Sequence, residues 1–113
     1  MEMNDAVNAL SALAHAGRLA VFRELVTAGP QGLAAGEVSR RLGIAPNTLS
    51  AGFTILAHAG LVTSRRDGRS IIYAAAFGQM AGLLGFLMED CCQGRPEVCA
   101  PVAEIAGRAA CCA

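Results

Sequence analysis

Apolar residues recur at helical spacing through the first half of the chain. Val7, Leu10 and Leu13 form one stripe, with Asn4 or Asp5 placed to cap its start. Gly17 is expected to break that helix. Leu19, Phe22, Leu25 and Val26 continue at the same period in a second helix, which Gly29-Pro30 ends. Residues 34–42 read as a short third helix: Val38 and Leu42 face inward, Arg40 and Arg41 outward, and Gly43 stops it. Pro46 suits the first position of a fourth helix. Its buried stripe is Leu49, Phe53 and Leu56, and it ends near Gly60. The opposite face carries Asn47, Ser50, Ala51, Thr54 and His58, small and polar except at its far end.

The period then changes. Leu61 to Arg65 and Arg69 to Tyr73 read as strands, joined across Arg66-Asp67-Gly68, where Asp-Gly favours a tight hairpin. A last strong helix runs from about Phe77 to Cys92, with Met80, Leu83, Leu84, Leu87, Met88 and Cys91 as its stripe. Ala81, Gly82, Gly85 and Phe86 leave it almost no polar face before Glu89 and Asp90, so it requires burial on most sides. In so short a chain a second copy is the natural partner. Met80, Leu83, Leu84 and Leu87 are the expected dimer contacts. Pro101 to Ala106 allow one more short helix, and Ala109 to Ala113 are expected to fray.

A length of 113 residues bounds the chain to one small domain. With 54% hydrophobic residues but only 4% aromatic, its helices must pack on Ala and Leu. The net charge is zero and names no partner, but its distribution is uneven. Residues 31–75 carry a balance of +3, from Arg40, Arg41, Arg65, Arg66 and Arg69 against Glu37 and Asp67. Residues 76–113 carry −2, and every basic residue in the chain is Arg. The start, Met1-Glu2-Met3-Asn4-Asp5, has neither a basic segment nor a long apolar run, so neither a signal peptide nor a membrane span is expected. A cytoplasmic location follows as the expectation. Thiols are then reduced, and clustered cysteines point to metal or redox chemistry rather than a disulfide framework.

Cysteines do cluster. Cys91, Cys92 and Cys99 fall within nine residues, with Gly94 and Pro96 between them to bend the backbone. Adjacent helical residues point ~100° apart. Cys91 and Cys92 therefore cannot converge on one ion while both stay strictly helical, unless it sits between their diverging side chains at the helix end; unwinding at Gln93-Gly94 relieves this and lets Cys99 close the third side. Trivalent arsenic and antimony take three thiolates, and soft ligands favour soft ions. Zinc takes four ligands, so Cys111, Cys112 or a His would have to complete its site. The negative end of the helix, with Glu89 and Asp90 beside the pair, disfavours a thiolate primed for redox attack, which Arg95 offsets in part. Cys111-Cys112 reads as a second weak thiol site, a transfer site or a passenger of the tail, the last being favoured. His15 and His58 stand alone in the sequence and read as structural or surface groups. No glycine-rich phosphate loop, Cys-x-x-Cys or nucleophile–base pair appears, so no enzyme is expected.

Three helices, a fourth led by Pro46-Asn47-Thr48-Leu49-Ser50, then an arginine-bearing hairpin: this order resembles a winged helix-turn-helix. Over residues 5–92 the chain resembles the ArsR/SmtB family of metal-responsive repressors. The matching features are Leu13-Ala14 leading to Gly17-Arg18-Leu19, then Leu42-Gly43-Ile44, Asn47-Thr48-Leu49-Ser50, His58-Ala59-Gly60-Leu61-Val62, and Arg65-Arg66-Asp67-Gly68-Arg69 with Tyr73. The Cys-Cys…Pro-Glu-x-Cys segment looks like the sensor of the arsenic-responsive branch. Gly52 and Phe53 stand where members often carry His and Leu, and His15-Ala16-Gly17-Arg18 where they often carry Asp-Pro-Thr-Arg.

The resemblance implies a mainly α fold with a small β-hairpin wing, dimeric through terminal helices. It implies a DNA-binding and dimerisation domain over residues 1–92 and a cysteine-containing sensor tail over 93–113. The fourth helix would enter the major groove of double-stranded operator DNA. Asn47, Thr48, Ser50, Ala51 and Thr54 would reach bases or phosphates, and Arg65, Arg66 and Arg69 would grip phosphates or the minor groove from the wing. Arg40 and Arg41 would add backbone contacts. The inducer would be arsenic(III) or antimony(III) on Cys91, Cys92 and Cys99, with no organic cofactor. Other soft metals (cadmium, lead, zinc) or thiol oxidation remain as alternative signals on the same scaffold, and a thiol enzyme or metal chaperone as another class.

Overall fold

A computed structural model describes residues 1–88 and Ile105. The chain divides into two compact units, Met1–Leu83 and Leu84–Ala113; the boundary expected at residue 92 falls in the second. The first unit holds α1 (Met3–Leu13), α2 (Ala16–Ala28), β1 (Leu33–Ala34), α3 (Ala35–Leu42), α4 (Pro46–His58), β2 (Val62–Asp67), β3 (Ser70–Ala75) and the start of α5 (Phe77–Leu87).

The order of helices and hairpin is the expected one, and α4 buries Leu49, Phe53 and Leu56 as its period requires. Phe53, Leu25, Leu56, Leu61 and Val38 are the largest fully buried side chains. Among the described residues no charged or polar residue is buried, so this core makes no internal polar demands.

Helix α1 departs from expectation. It buries Ala6, Ala9 and Ala12, while Val7 and Leu10 are exposed. Small side chains let the helix axis approach its neighbours closely, and this turns the larger residues outward. The helix also starts earlier than expected. Glu2 is the N-cap residue, and its N–H donates to Asp5 Oδ2 at 3.1 Å within the first turn. Gly17 does not break a helix. The cap is His15, whose Nδ1 accepts from the N–H groups of Gly17 (3.1 Å) and Arg18 (3.3 Å), so Gly17 lies in the first turn of α2. Arg18 in turn donates from Nε to the Ala12 carbonyl at 2.7 Å, satisfying an orphan acceptor at the end of α1.

The sheet has three antiparallel strands in the order β1-β3-β2. The two-residue strand β1 is an addition to the expected hairpin; Leu33 pairs with Tyr73 and Ala34 with Ile72. Gly32 makes this possible. Its φ is +74°, and a Cβ there would lie 2.2 Å from the Tyr73 carbonyl oxygen. The hairpin also runs further than expected. Asp67 pairs with Ser70, which leaves Gly68-Arg69 as the turn, with Gly68 at φ +63°.

Candidate nucleic-acid interface

Helix α4 is held at both ends of its approach. Gly43 ends α3, and the Ser39 hydroxyl donates to the Ile44 carbonyl at 2.6 Å, fixing the short turn between the helices. Pro46 then begins α4. With Leu49, Phe53 and Leu56 buried, the helix exposes Asn47, Thr48, Ser50, Ala51 and Thr54. The Thr54 hydroxyl donates to the Ser50 carbonyl at 3.1 Å. Its proton is used within the helix, so Thr54 offers a partner its oxygen lone pairs and its methyl group.

The wing packs onto this helix through Phe53 and Tyr73, whose rings are stacked. Beside the stack lies a cleft of about 600 Å³ between α3, α4 and the wing, lined by Pro46, Ser50, Arg69, Ser70, Ile71 and Tyr73 among others. The structure therefore gathers Ser50 and Arg69, from distant parts of the sequence, around one concave surface. Tyr73 and Ser70 belong to that surface too and were not among the residues expected there. The tyrosine's place at the strand end of the family-like segment was the only signal.

The remaining arginines are differently engaged. Arg40 donates from Nε to Glu37 Oε2 at 3.0 Å and makes a second hydrogen bond to Glu37 Oε1. Arg41 donates from Nε to Glu37 Oε1 at 2.8 Å and from Nη1 to Glu24 Oε1 at 3.2 Å, joining α3 to α2. Hydrogen bonds from Arg40 and then Arg41 pull the Glu37 carboxyl down to about 2. Two of the arginines expected to meet phosphate thus already have carboxylate partners. Arg65 donates from Nη2 to the Gln31 carbonyl at 2.8 Å, tying β2 to the loop before β1.

Of the expected dimer contacts, Leu83 is 2% exposed and belongs to the core of its own protomer. Met80 is half-buried, and Leu84 and Leu87 are exposed. Cys91, Cys92 and Cys99, with Cys111 and Cys112, lie outside the described residues. Among the described residues no helix is long and apolar enough to cross a membrane.

Residues 13–65 match the model of a helix-turn-helix domain family. No curated protein matches the chain. Among solved structures, the chain is similar to the ArsR-like transcriptional regulator from Rhodococcus sp. RHA1, at TM-score 0.71 and 22% identity, over 91% of this chain and 93% of that one. It is 30% identical to the transcriptional repressor BigR from Xylella fastidiosa, over 79% of this chain and 88% of that one, at TM-score 0.61. It is also similar to the homodimeric winged helix-turn-helix DNA-binding domain Mb0332 from Mycobacterium bovis, at TM-score 0.62 and 23% identity, over 78% and 82% of the two chains. With a helix-turn-helix of α3 and α4, a three-stranded wing and these relatives, the chain belongs to the ArsR family of winged helix-turn-helix transcriptional regulators, which are DNA-binding proteins and not enzymes.

Proposed function

We propose that the protein is a homodimeric cytoplasmic repressor that holds operator DNA when free and releases it when trivalent arsenic or antimony binds Cys91, Cys92 and Cys99. The observation that carries this reading is the thiol triad, which follows the apolar helix α5 by only a few residues in a chain whose fold reads DNA. Three soft sulfur donors fit a trivalent pnictogen and leave zinc one ligand short. When bound, the ion supplies three strong bonds to sulfur; the chain's part is to bring the thiols together and to release their protons.

Several features support the rest. Helix α1 presents Met3, Val7 and Leu10 to solvent, and Leu84 on α5 is 55% exposed. Apolar faces of this kind favour a second copy of the chain, and the Mycobacterium bovis relative is a homodimer. BigR is a repressor. In each protomer α4 enters the major groove, where Asn47, Ser50 and Thr54 meet base edges or phosphates and the Ala51 methyl meets thymine. Thr48 lies at the N-terminal end of the same exposed face. Gathering the thiols beyond α5 changes the dimer equilibrium and with it the spacing of the two reading helices.

The test is fluorescence anisotropy of an operator duplex selected by the protein from a random-sequence pool. Arsenite, antimonite, cadmium, lead and zinc are added in turn, and hydrogen peroxide separately. Arsenite should release the parent, while Cys91→Ser, Cys92→Ser and Cys99→Ser should bind the duplex and respond weakly. Cys111→Ser with Cys112→Ser should respond as the parent does. Release by another ion alone would replace the inducer, and release by peroxide alone would make the thiols an oxidation sensor.

A further inference from the structure

The three wing arginines look equivalent in sequence but are not equivalent in the fold. Side chains alternate faces along a strand, and residues directly opposite on paired strands share a face. Arg66 pairs with Ile71, and Arg65 with Ile72. Tyr73 stacks on Phe53 of α4, so the face holding Tyr73, Ile71 and Arg66 is the one turned toward the reading helix. Arg65 lies on the other face, where its guanidinium donates to the Gln31 carbonyl at 2.8 Å. Arg69 occupies the hairpin turn and lines the cleft that also contains Ser50 and Ser70. Arg66 and Arg69 are exposed, and neither forms an ion pair or side-chain hydrogen bond among the described residues.

We infer that Arg66 and Arg69 alone carry the wing's grip on the phosphate backbone, and that Arg65 is a positioning residue that fastens the wing to the loop before β1. This rests on the DNA-binding role of α4 proposed above and on the wing meeting the same duplex. The chemistry separates the two roles. A guanidinium on phosphate displaces condensed counterions, so its removal flattens the dependence of affinity on salt. A guanidinium on a backbone carbonyl displaces none, so its removal loosens the fold locally and leaves that slope unchanged. Arg40 and Arg41, already paired with Glu37 and Glu24, add little to the count.

The experiment measures affinity against salt for a short duplex of arbitrary sequence, with thermal melting of each variant alongside. Arg66→Ala and Arg69→Ala should each reduce the slope of log affinity on log salt by about 0.9 for every phosphate contact removed, without lowering the melting temperature. Arg65→Ala should keep the parent slope and melt lower, and Arg65→Lys, which retains a donor for the Gln31 carbonyl, should recover part of the melting temperature. A slope flattened by Arg65→Ala as much as by Arg66→Ala would overturn the assignment. So would parental slopes in both Arg66→Ala and Arg69→Ala. Failure of the parent itself to bind any duplex would overturn the DNA-binding reading beneath it, a result distinct from either.

Discussion

The rings of Phe53 and Tyr73 lie 3.7 Å apart between centroids and within 2° of parallel. One belongs to α4 and the other to β3, the central strand of the wing. They are one of the packing contacts that join α4 to the wing. Near face-to-face rings forgo the favourable offset of their quadrupoles, so the contact acts chiefly by excluding water between helix and sheet.

The two rings should therefore be coupled energetically. In a double-mutant cycle of Phe53→Leu and Tyr73→Leu, denaturant unfolding should give a coupling energy of at least about 0.5 kcal/mol, as side chains in contact do. Both single variants should also lose affinity for duplex DNA, because the wing is then less firmly placed. Additive stabilities would mean the rings are merely neighbours.

Gly32 should not tolerate a side chain. Its φ of +74° and the 2.2 Å approach of a Cβ to the Tyr73 oxygen mean that Gly32→Ala must strain the backbone and push β1 from β3. A loss of about 1–3 kcal/mol is expected from strain of this kind. Thermal melting decides it, and a parental melting temperature would show that the β1–β3 pairing yields at no cost.

The Glu37 cluster should make stability depend modestly on pH in acid. Its carboxyl has a folded-state value of about 2 against an ordinary 4.5. A carboxylate depressed on folding contributes stability that is fully present above about 4.5 and lost as pH falls toward 2. Parent protein should lose stability more steeply over that window than Glu37→Gln. The cluster is at the surface, so the difference should shrink in high salt. Equal slopes for parent and variant in acid denaturation would show that the ion pairs contribute nothing.

Adjacent residues of α5 should fail in different ways. Leu83 is 2% exposed, and Leu83→Ala should cost about 2–5 kcal/mol of stability as a core truncation does. Leu84 is 55% exposed, and Leu84→Glu should leave the protomer folded while abolishing the dimer and weakening operator binding. Sedimentation and circular dichroism separate the outcomes. A dimeric Leu84→Glu variant would remove this residue from the interface.

Much of the reading helix was legible because its stripe is made of large residues with one period; Leu49, Phe53 and Leu56 are all buried. Helix α1 was not, because the pattern ranks residues by hydrophobicity, whereas Ala6, Ala9 and Ala12 are buried for their small size. A strand of two residues, Leu33–Ala34, shows no alternation, and its partner Tyr73 lies forty positions away. The hairpin was legible from Asp67-Gly68, but its register was not. Turn composition fits several alignments, and only the Asp67–Ser70 pairing chooses one. The arginines were legible as a basic region. Their division between carboxylates, a carbonyl and the open cleft depends on partners such as Glu24 and Gln31, which are remote in sequence from the residues they hold.

If one dimer equilibrium joins the thiols to the two α4 helices, an arsenite titration will reveal it. Arsenite affinity is measured calorimetrically on the full chain, alone and saturated with its selected operator. If arsenite weakens DNA binding by some factor, DNA must weaken arsenite binding by the same factor. Coupling of about 1–3 kcal/mol corresponds to roughly 5- to 150-fold. The expected result is a matching loss of arsenite affinity on the operator-bound protein, abolished in Cys91→Ser. Identical arsenite affinities with and without operator would contradict the coupling, whatever the ion does to either site separately.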